Sequence, residues 1–314
     1  MSPSPALVSN KRPETQGQGV GAALVLASAI VWSFGGTLAR FLHVEDGWTI
    51  VFWRSLFAAI FLFGFMLLRD GVAGTRRLFQ DMGWPGVAVG LCFATASTSF
   101  ILALAYTTVA NILLIQASVP LIAALLSWLL FRERIAMQTW VAIAVVITGV
   151  CIMVSGSMTG EVSPIGDALA LLIAFAFASA TVITRRYSHV RMTPAVFFGT
   201  IVAATFAASQ SSGLGVDGRE LAILMVFGAF NFGLGLALFV TGARLVPSAV
   251  AALLSTAETV LAPVWVAIIH SEIPSTRTVI GGTIVLVALL GYLLLEVWQQ
   301  RRTGPVRIVS GPEA

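Results

Sequence analysis

The sequence predicts an all-α membrane protein. Its expected form is ten transmembrane helices arranged as a 5+5 inverted repeat, with the N and C termini cytoplasmic. Three observations lead there. Of 314 residues, 58% are apolar or aromatic and only 10% are Asp, Glu, Lys or Arg, against about 25% charged in an ordinary soluble domain. The mean hydropathy is +0.94. That is too little charge to coat a soluble particle and too much apolar mass for a disordered chain. The apolar residues gather into runs of the length a bilayer requires, about 20 residues each. Finally, Lys and Arg segregate between alternate loops. The net charge of +4 is therefore read as orientation, with no nucleic-acid partner expected.

Residues 1–18 are polar, with Lys11, Arg12 and three prolines. They read as a flexible cytoplasmic tail before a retained first helix, because no small-residue cleavage site follows a short apolar core. Helix 1 is expected over 20–41. Helix 2, over 48–68, follows the Asp46–Gly47 turn. Helix 3, over 85–106, opens on Pro85, where a missing N–H is harmless. The tight Thr107–Thr108 turn leads into helix 4, 109–131, and helix 5 covers 137–156. Helix 6 is expected over 166–184. Helix 7, 194–210, opens on Pro194, and helix 8, 220–242, follows Asp217–Gly218. Helix 9, 248–270, follows a short turn at Pro247, and helix 10 covers 278–298. Helices 5 and 10 are almost wholly apolar and belong at the periphery. Gly86-x-x-x-Gly90 and Gly281–Gly282 read as close helix contacts. Cys92 and Cys151 lie inside apolar runs and read as packing residues, not a disulfide.

Placing the N-terminus in the cytoplasm puts Lys11, Arg12, Arg69, Arg76, Arg77, Arg132, Arg134, Arg185, Arg186, Arg191, Arg244, Arg301, Arg302 and Arg307 on that side, 14 of the 18 cations. Only Arg40, Arg219 and Arg277 fall opposite, and Arg54 lies within helix 2. The imbalance fits ten spans, since losing one would scramble the alternation.

The chain also matches itself. Helix 1 from Gly21 and helix 6 from Gly166 share six of twenty positions: Gly21/Gly166, Ala23/Ala168, Leu24/Leu169, Leu26/Leu171, Ala29/Ala174 and Arg40/Arg185. Phe93 and Phe100 pair with Phe232 and Phe239. In that register Tyr106–Arg134 falls on Leu245–Ile273, with Glu133 on Glu272. Residues 19–156 thus form a first five-helix repeat and 157–298 a second, followed by a cytoplasmic tail at 299–314. A unit with an odd number of spans, repeated in tandem, inserts upside down the second time. Two such halves can exchange shapes and open a shared site to either side, as alternating-access transporters do.

Polar groups at depth need a partner or a purpose. Glu258, about eleven residues into helix 9, reads as a proton-coupling carboxylate or a partner for a substrate ammonium, or else as a buried hydrogen-bonded carboxyl that fixes helix packing. Arg54 reads mainly as structural, pairing with backbone carbonyls or snorkelling, because helix 2 offers no other polar residue; the alternative is a substrate carboxylate. Trp32 and Ser33 of helix 1, Ser97 of helix 3, Asn111 and Gln116 of helix 4, Phe177 of helix 6, Asn231 of helix 8 and Ser255 of helix 9 complete the substrate-binding candidates. The amides carry most weight, having more groups to satisfy. Trp32 and its repeat partner Phe177 are expected to flank a central cavity, or else to be lipid-facing aromatics. Pro120 and Pro263, within helices 4 and 9, invite kinks.

Three stretches resemble the EamA-type members of the drug/metabolite transporter superfamily: WSFGGTLAR at 32–40, the hairpin ALAYTTVANILLIQASVPLIAALLSWLLFRERI at 103–135, and its repeat GARLVPSAVAALLSTAETVLAPVWVAIIHSEIP at 242–274. The family usually carries Glu-Pro in helix 9, whereas here Thr259 follows Glu258. The resemblance implies a carrier of metabolites and favours export. The residues favour small amphipathic solutes, amino acids foremost and aromatic or apolar ones included, because a mostly apolar site with hydroxyls, amides and one carboxylate suits zwitterions. Amino-acid uptake, or export of drugs or other metabolites on the same fold, are the alternatives. An intramembrane enzyme is disfavoured, since no G-x-S-x-G, H-E-x-x-H or Walker pattern is present. No metal and no cofactor are expected. The expected partners are a small-molecule substrate, the lipid bilayer and protons through Glu258. The near-absence of Lys beside Arg hints at a bacterial inner membrane.

Overall fold

The computed structural model describes residues 12–103, 105–107, 112, 115–116, 118–132, 135–154, 164–270 and 276–302. Among them all regular structure is helical. Five helical stretches are long and apolar enough to cross a membrane: Gly17–Arg40, Gly47–Ala103, Pro164–Arg186, Thr193–Gln210 and Gly218–Ala243. Val119–Phe131, Met137–Ile152, Ser248–Ala262 and Val279–Tyr292 are shorter apolar helices.

Helix 1 starts at Arg12 and so takes in the end of the expected tail. The long run Gly47–Ala103 is not one rod. Gly71 (φ 66°) and Gly83 (φ 53°) both adopt the left-handed region that glycine enters without steric cost. They bound a short helix over 72–82 where the sequence suggested only a loop. Helix 2 ends before it and helix 3 begins after it.

Two ends of the bundle can be told apart by chemistry. At the basic end, Arg191 grips Asp70 with two bonds of 2.7 and 2.9 Å. There too Arg185 donates to the Arg244 carbonyl at 3.0 Å, and the Arg186 guanidinium stacks over Phe131. At the acidic end lie Glu45, Asp46, Asp217 and Glu220, around a groove of about 460 Å3 shared by the 43–49 and 212–220 loops.

Helix 1 begins at the basic end: a Cβ on Gly21 would stand 2.6 Å from Leu245 Cβ. Helix 6 finishes there, at Arg185. The two equivalent helices therefore run in opposite senses. The opposite face repeats the contact, since a Cβ on Gly166, the counterpart of Gly21, would stand 2.6 Å from Thr107 Cβ. Thr107 is the counterpart of Val246, which also crowds Gly21. One small-residue contact thus serves both ends of an inverted pair, and it survives because any side chain at either glycine would part the backbones.

Gly90 of helix 3 and Gly199 of helix 7 face each other so closely that a Cβ on Gly199 would overlap the Gly90 carbonyl. The atoms nearest a Cβ on Gly86 belong to Met82, on the preceding short helix, so the expected two-glycine step meets two different neighbours. Helices 2 and 7 are tied at both ends, by Asp70–Arg191 at one and by Thr49 Oγ1 donating to the Gly213 carbonyl at 2.7 Å at the other. Helices 5 and 10 pack on each other, with Gly149 set against the Gly281 carbonyl and Val285.

Candidate functional site

Helices 1, 4 and 9 break part-way along, and helix 8 changes winding. Helix 1 stops at Ser33 and restarts at Gly35. The Phe34 amide reaches only the Val31 carbonyl, at 3.4 Å. Helix 9 stops at Ser255 and restarts at Ala257, with tighter three-residue bonds across the joint, Thr256 N to Leu253 O and Thr259 N to Thr256 O, both 3.1 Å. Helix 4 turns at Ser118, whose amide bonds Ile115 O at 3.0 Å. In the repeat register Ser118 falls on Ala257, so helices 4 and 9 are interrupted at matching depths. Each joint is stitched by a hydroxyl: Ser118 Oγ to Ile115 O and Thr256 Oγ1 to Leu253 O, both 2.6 Å. Neither joint is at a proline. Pro120 lies in the first turn after one, and Pro263 stands well beyond the other. Helix 8 is a π-helix over Phe227–Leu234, a winding that carries more residues per turn and marks functional positions in many helices.

These irregularities meet around helix 1. Its interruption releases carbonyls, and Asn231 on the π segment answers them: Nδ2 donates to Val31 O at 2.6 Å and to Trp32 O at 3.3 Å. From the other side Trp265 Nε1 donates to Ser33 Oγ at 2.8 Å, and its ring stacks on Phe34 with centroids 4.5 Å apart. Buried carbonyls in lipid need such partners. Asn231 and Ser33, both substrate-binding candidates, therefore also hold the helix 1 joint together.

Nearer the basic end four rings close on each other. Trp32 meets Phe177 edge-on at 6.0 Å and Phe239 at 5.5 Å. Phe177 and Phe239 are 4.9 Å apart, and Phe93 stands 5.9 Å from each. Trp32 and Phe177 were expected to flank a cavity; here they touch and form part of one plug. Edge-to-face contacts of this kind suit the ring quadrupoles.

The polar candidates fall differently. Ser97 Oγ accepts from Arg54 Nη2 at 2.5 Å. Ser255 Oγ spends its proton on Ala251 O, 2.9 Å away on its own helix. Gln116 is half-buried. Asn111 lies outside the described residues, as do Glu133 and Glu272. Glu258 stands in the first turn of the second half of helix 9, at the helix end whose dipole favours a carboxylate. It is half-buried and forms no hydrogen bond or ion pair with a described residue. Sequence reasoning missed Phe93, Phe239 and Trp265 as members of the site. They look like any other core aromatic until the fold brings them together.

Electrostatics at the two ends tie the repeats to each other. Burial pushes the Asp46 carboxyl up, but hydrogen bonds from Thr49, Trp48, Ser212 and Ser211 outweigh it and hold the group below the usual carboxylate range. At the basic end the hydrogen bonds from Arg191 hold Asp70 low as well.

Two helical repeats in opposed orientation, with interrupted helices meeting at their interface, define a multi-pass membrane protein of the transporter class. Comparison with known families agrees: the model of the EamA-like transporter family matches residues 19–155 and again 164–294. The chain belongs to the EamA-like transporter family. A solved structure described only as "Crystal structure of protein" superposes with a TM-score of 0.74 over 88% of this chain and 98% of its own, at 15% identity. That likeness concerns the fold. No curated protein sequence matches.

Proposed function

We propose that this chain is a secondary active transporter that moves small amphipathic metabolites, amino acids foremost, through ten spans with both termini in the cytoplasm. Aromatic and apolar amino acids are the preferred cargo, and export across the bacterial inner membrane is the preferred direction. The observation that carries the reading is Glu258: a carboxylate without a partner among the described residues, in the first turn after a joint in helix 9, matched by the Ser118 joint in helix 4. An ionisable group held without a partner inside a membrane bundle supports a role in moving charge, because a purely structural carboxyl would be expected to be hydrogen-bonded. The ring cluster of Trp32, Phe93, Phe177 and Phe239 supports a barrier on the basic side and a preference for flat or apolar side chains. On this reading Glu258 exchanges a proton or a substrate ammonium as the halves swap shapes. Trp32, Ser33, Ser97, Asn111, Gln116, Phe177, Asn231 and Ser255 are proposed to line the path.

The test is a radiolabelled amino-acid panel in proteoliposomes, with and without a pH gradient. Saturable movement of at least one amino acid, accelerated by the gradient, is expected. No movement of any member under either condition removes the amino-acid assignment.

A further inference from the structure

Among the described residues Arg54 is a buried cation without an anion. It sits seven residues into helix 2, about 10 Å along the helix from its start, and is only 6% exposed. No carboxylate among the described residues stands within ion-pair reach. Its bonds go to neutral Ser97, to Oγ at 2.5 Å and to the carbonyl oxygen at a long 3.4 Å. Its Nε has no partner at all. Phe232 and Phe227 lie over the guanidinium with centroids 4.6 and 5.3 Å away.

This is neither of the two structural roles that the sequence suggested for Arg54, though the two rings do hold the guanidinium by cation–π contact. A snorkelling side chain puts its head in water, and this head is buried. A packing arginine spends its fork on several carbonyls, and among the described residues this one reaches a single distant carbonyl. Its Nε–H is unspent, and with Nη2 released from Ser97 the planar fork would match a carboxylate by two parallel bonds.

Both rings that cover Arg54 come from the π segment of helix 8. The equivalent stretch of helix 3, 88–95 in the repeat register, is wound as an ordinary α-helix. The same position in the two repeats therefore exists in both windings within one molecule. Rewinding helix 8 to α would turn Phe227 and Phe232 relative to each other, because the extra residue in the turn is removed. The guanidinium would then be uncovered.

Building on the carrier reading above, we propose that Arg54, released from Ser97, binds the carboxylate of the substrate, with Phe227 and Phe232 as its cover. The transporter then selects solutes that bear a carboxylate and rejects the matching amines.

The experiment pairs each acid with its decarboxylated twin: phenylalanine with phenethylamine, leucine with isoamylamine, and 3-phenylpropionate as a carboxylate without an amine. Ligand-induced thermal stabilisation is measured in detergent and uptake in proteoliposomes, for wild type, Arg54→Gln and Arg54→Lys. Wild type should be stabilised by the carboxylates and not by the amines. Arg54→Gln should lose about 100-fold in carboxylate affinity, the size expected when one partner of a buried charged pair is removed. Arg54→Lys keeps the charge, and with it the fold, but not the fork; it should lose about 10-fold. Equal stabilisation of wild type by acids and amines overturns the assignment, as does an unchanged acid-to-amine ratio in Arg54→Lys, which decides if Arg54→Gln does not fold. Uptake of amines without uptake of acids leaves the carrier reading standing and removes Arg54. Carboxylate binding that depends on Arg54, without uptake of any solute, keeps the anion site and removes the carrier reading. Neither binding nor uptake of any acid or any amine overturns both.

Discussion

Trp32 and Phe177 hold the same place in the two repeats, and their rings meet edge-on with centroids 6.0 Å apart. Residues related by a two-fold axis can touch only if both lie beside it, so this contact marks where the halves meet. Phe93 and Phe239 join from helices 3 and 8, but they are not each other's counterparts, since Phe93 pairs with Phe232 and Phe239 with Phe100 in the repeat. The plug is symmetric at its centre and asymmetric at its rim.

Trp32→Ala should change side-chain preference among competing amino acids by about 10-fold, a change worth one or two methylenes in an apolar pocket. Gly235 supplies an internal check, because a Cβ there would overlap the Trp32 indole. Gly235→Ala should therefore displace Trp32, mimic Trp32→Ala and become neutral once Trp32 is already alanine. Competition profiles in proteoliposomes read all three variants. Identical profiles for Trp32→Ala and wild type would place the ring outside the path.

Asn231→Ala should destabilise the protein by about 1–3 kcal/mol, because it strips the donor from the Val31 and Trp32 carbonyls at the helix 1 joint. Thermal unfolding in detergent reads the effect. An unchanged transition would mean that the carbonyls find another donor and that Asn231 is free for substrate.

What could be read from the chain was the set of long apolar elements and their duplication, since a bilayer imposes length and composition on every span. The joints were far less legible. Gly35–Gly36 is visible within the WSFGGTLAR stretch, but a glycine pair does not by itself mark the place where helix 1 restarts. The joint in helix 9 has no proline and no glycine; Ser255 and Thr256 bond backward to carbonyls, and those residue types occur in many unbroken spans. The prolines pointed to the right helices but not to the right turns. The π segment has no sequence signature that separates it from the α-helical stretch of helix 3. Arg54 was judged by helix 2 alone, where it has no polar company. Its surroundings come from Ser97, Phe227 and Phe232, 43 to 178 positions further along the chain, which only the packed structure brings together.

Asp70→Asn should weaken the basic-end tie between helix 2 and the 187–193 turn. The Arg191 hydrogen bonds hold the Asp70 carboxyl below its ordinary value of about 3.9. The tie is therefore complete above that ordinary value and is lost as pH falls through the lower value of the folded protein. At pH 7 the substitution should cost about 1 kcal/mol, the upper range for a partly exposed pair with good geometry. The difference between the variant and wild type should shrink as the buffer is taken below about pH 4. Thermal unfolding across this range is the measurement, and a difference that stays constant with pH would remove the pair from the account.

Glu258→Gln tests the coupling role most directly. The amide keeps the shape and can still accept a hydrogen bond, but it can neither take up a proton nor carry charge. If Glu258 moves the proton, the variant should lose gradient-driven transport altogether, because no other step in the proposed cycle links the solute to the pH difference. Counterflow of labelled against unlabelled amino acid should partly survive, because exchange needs the halves to swap shapes with substrate bound and does not require net proton movement. Should Glu258 instead hold the substrate ammonium, removing its charge would weaken binding in both assays, and exchange would fall together with net transport. Should it only fix packing, both activities would persist, and the pH dependence of transport in reconstituted vesicles would match wild type. The three outcomes differ in which of the two fluxes is lost, so one pair of flux measurements on a single variant separates proton carrier, ammonium partner and structural carboxyl.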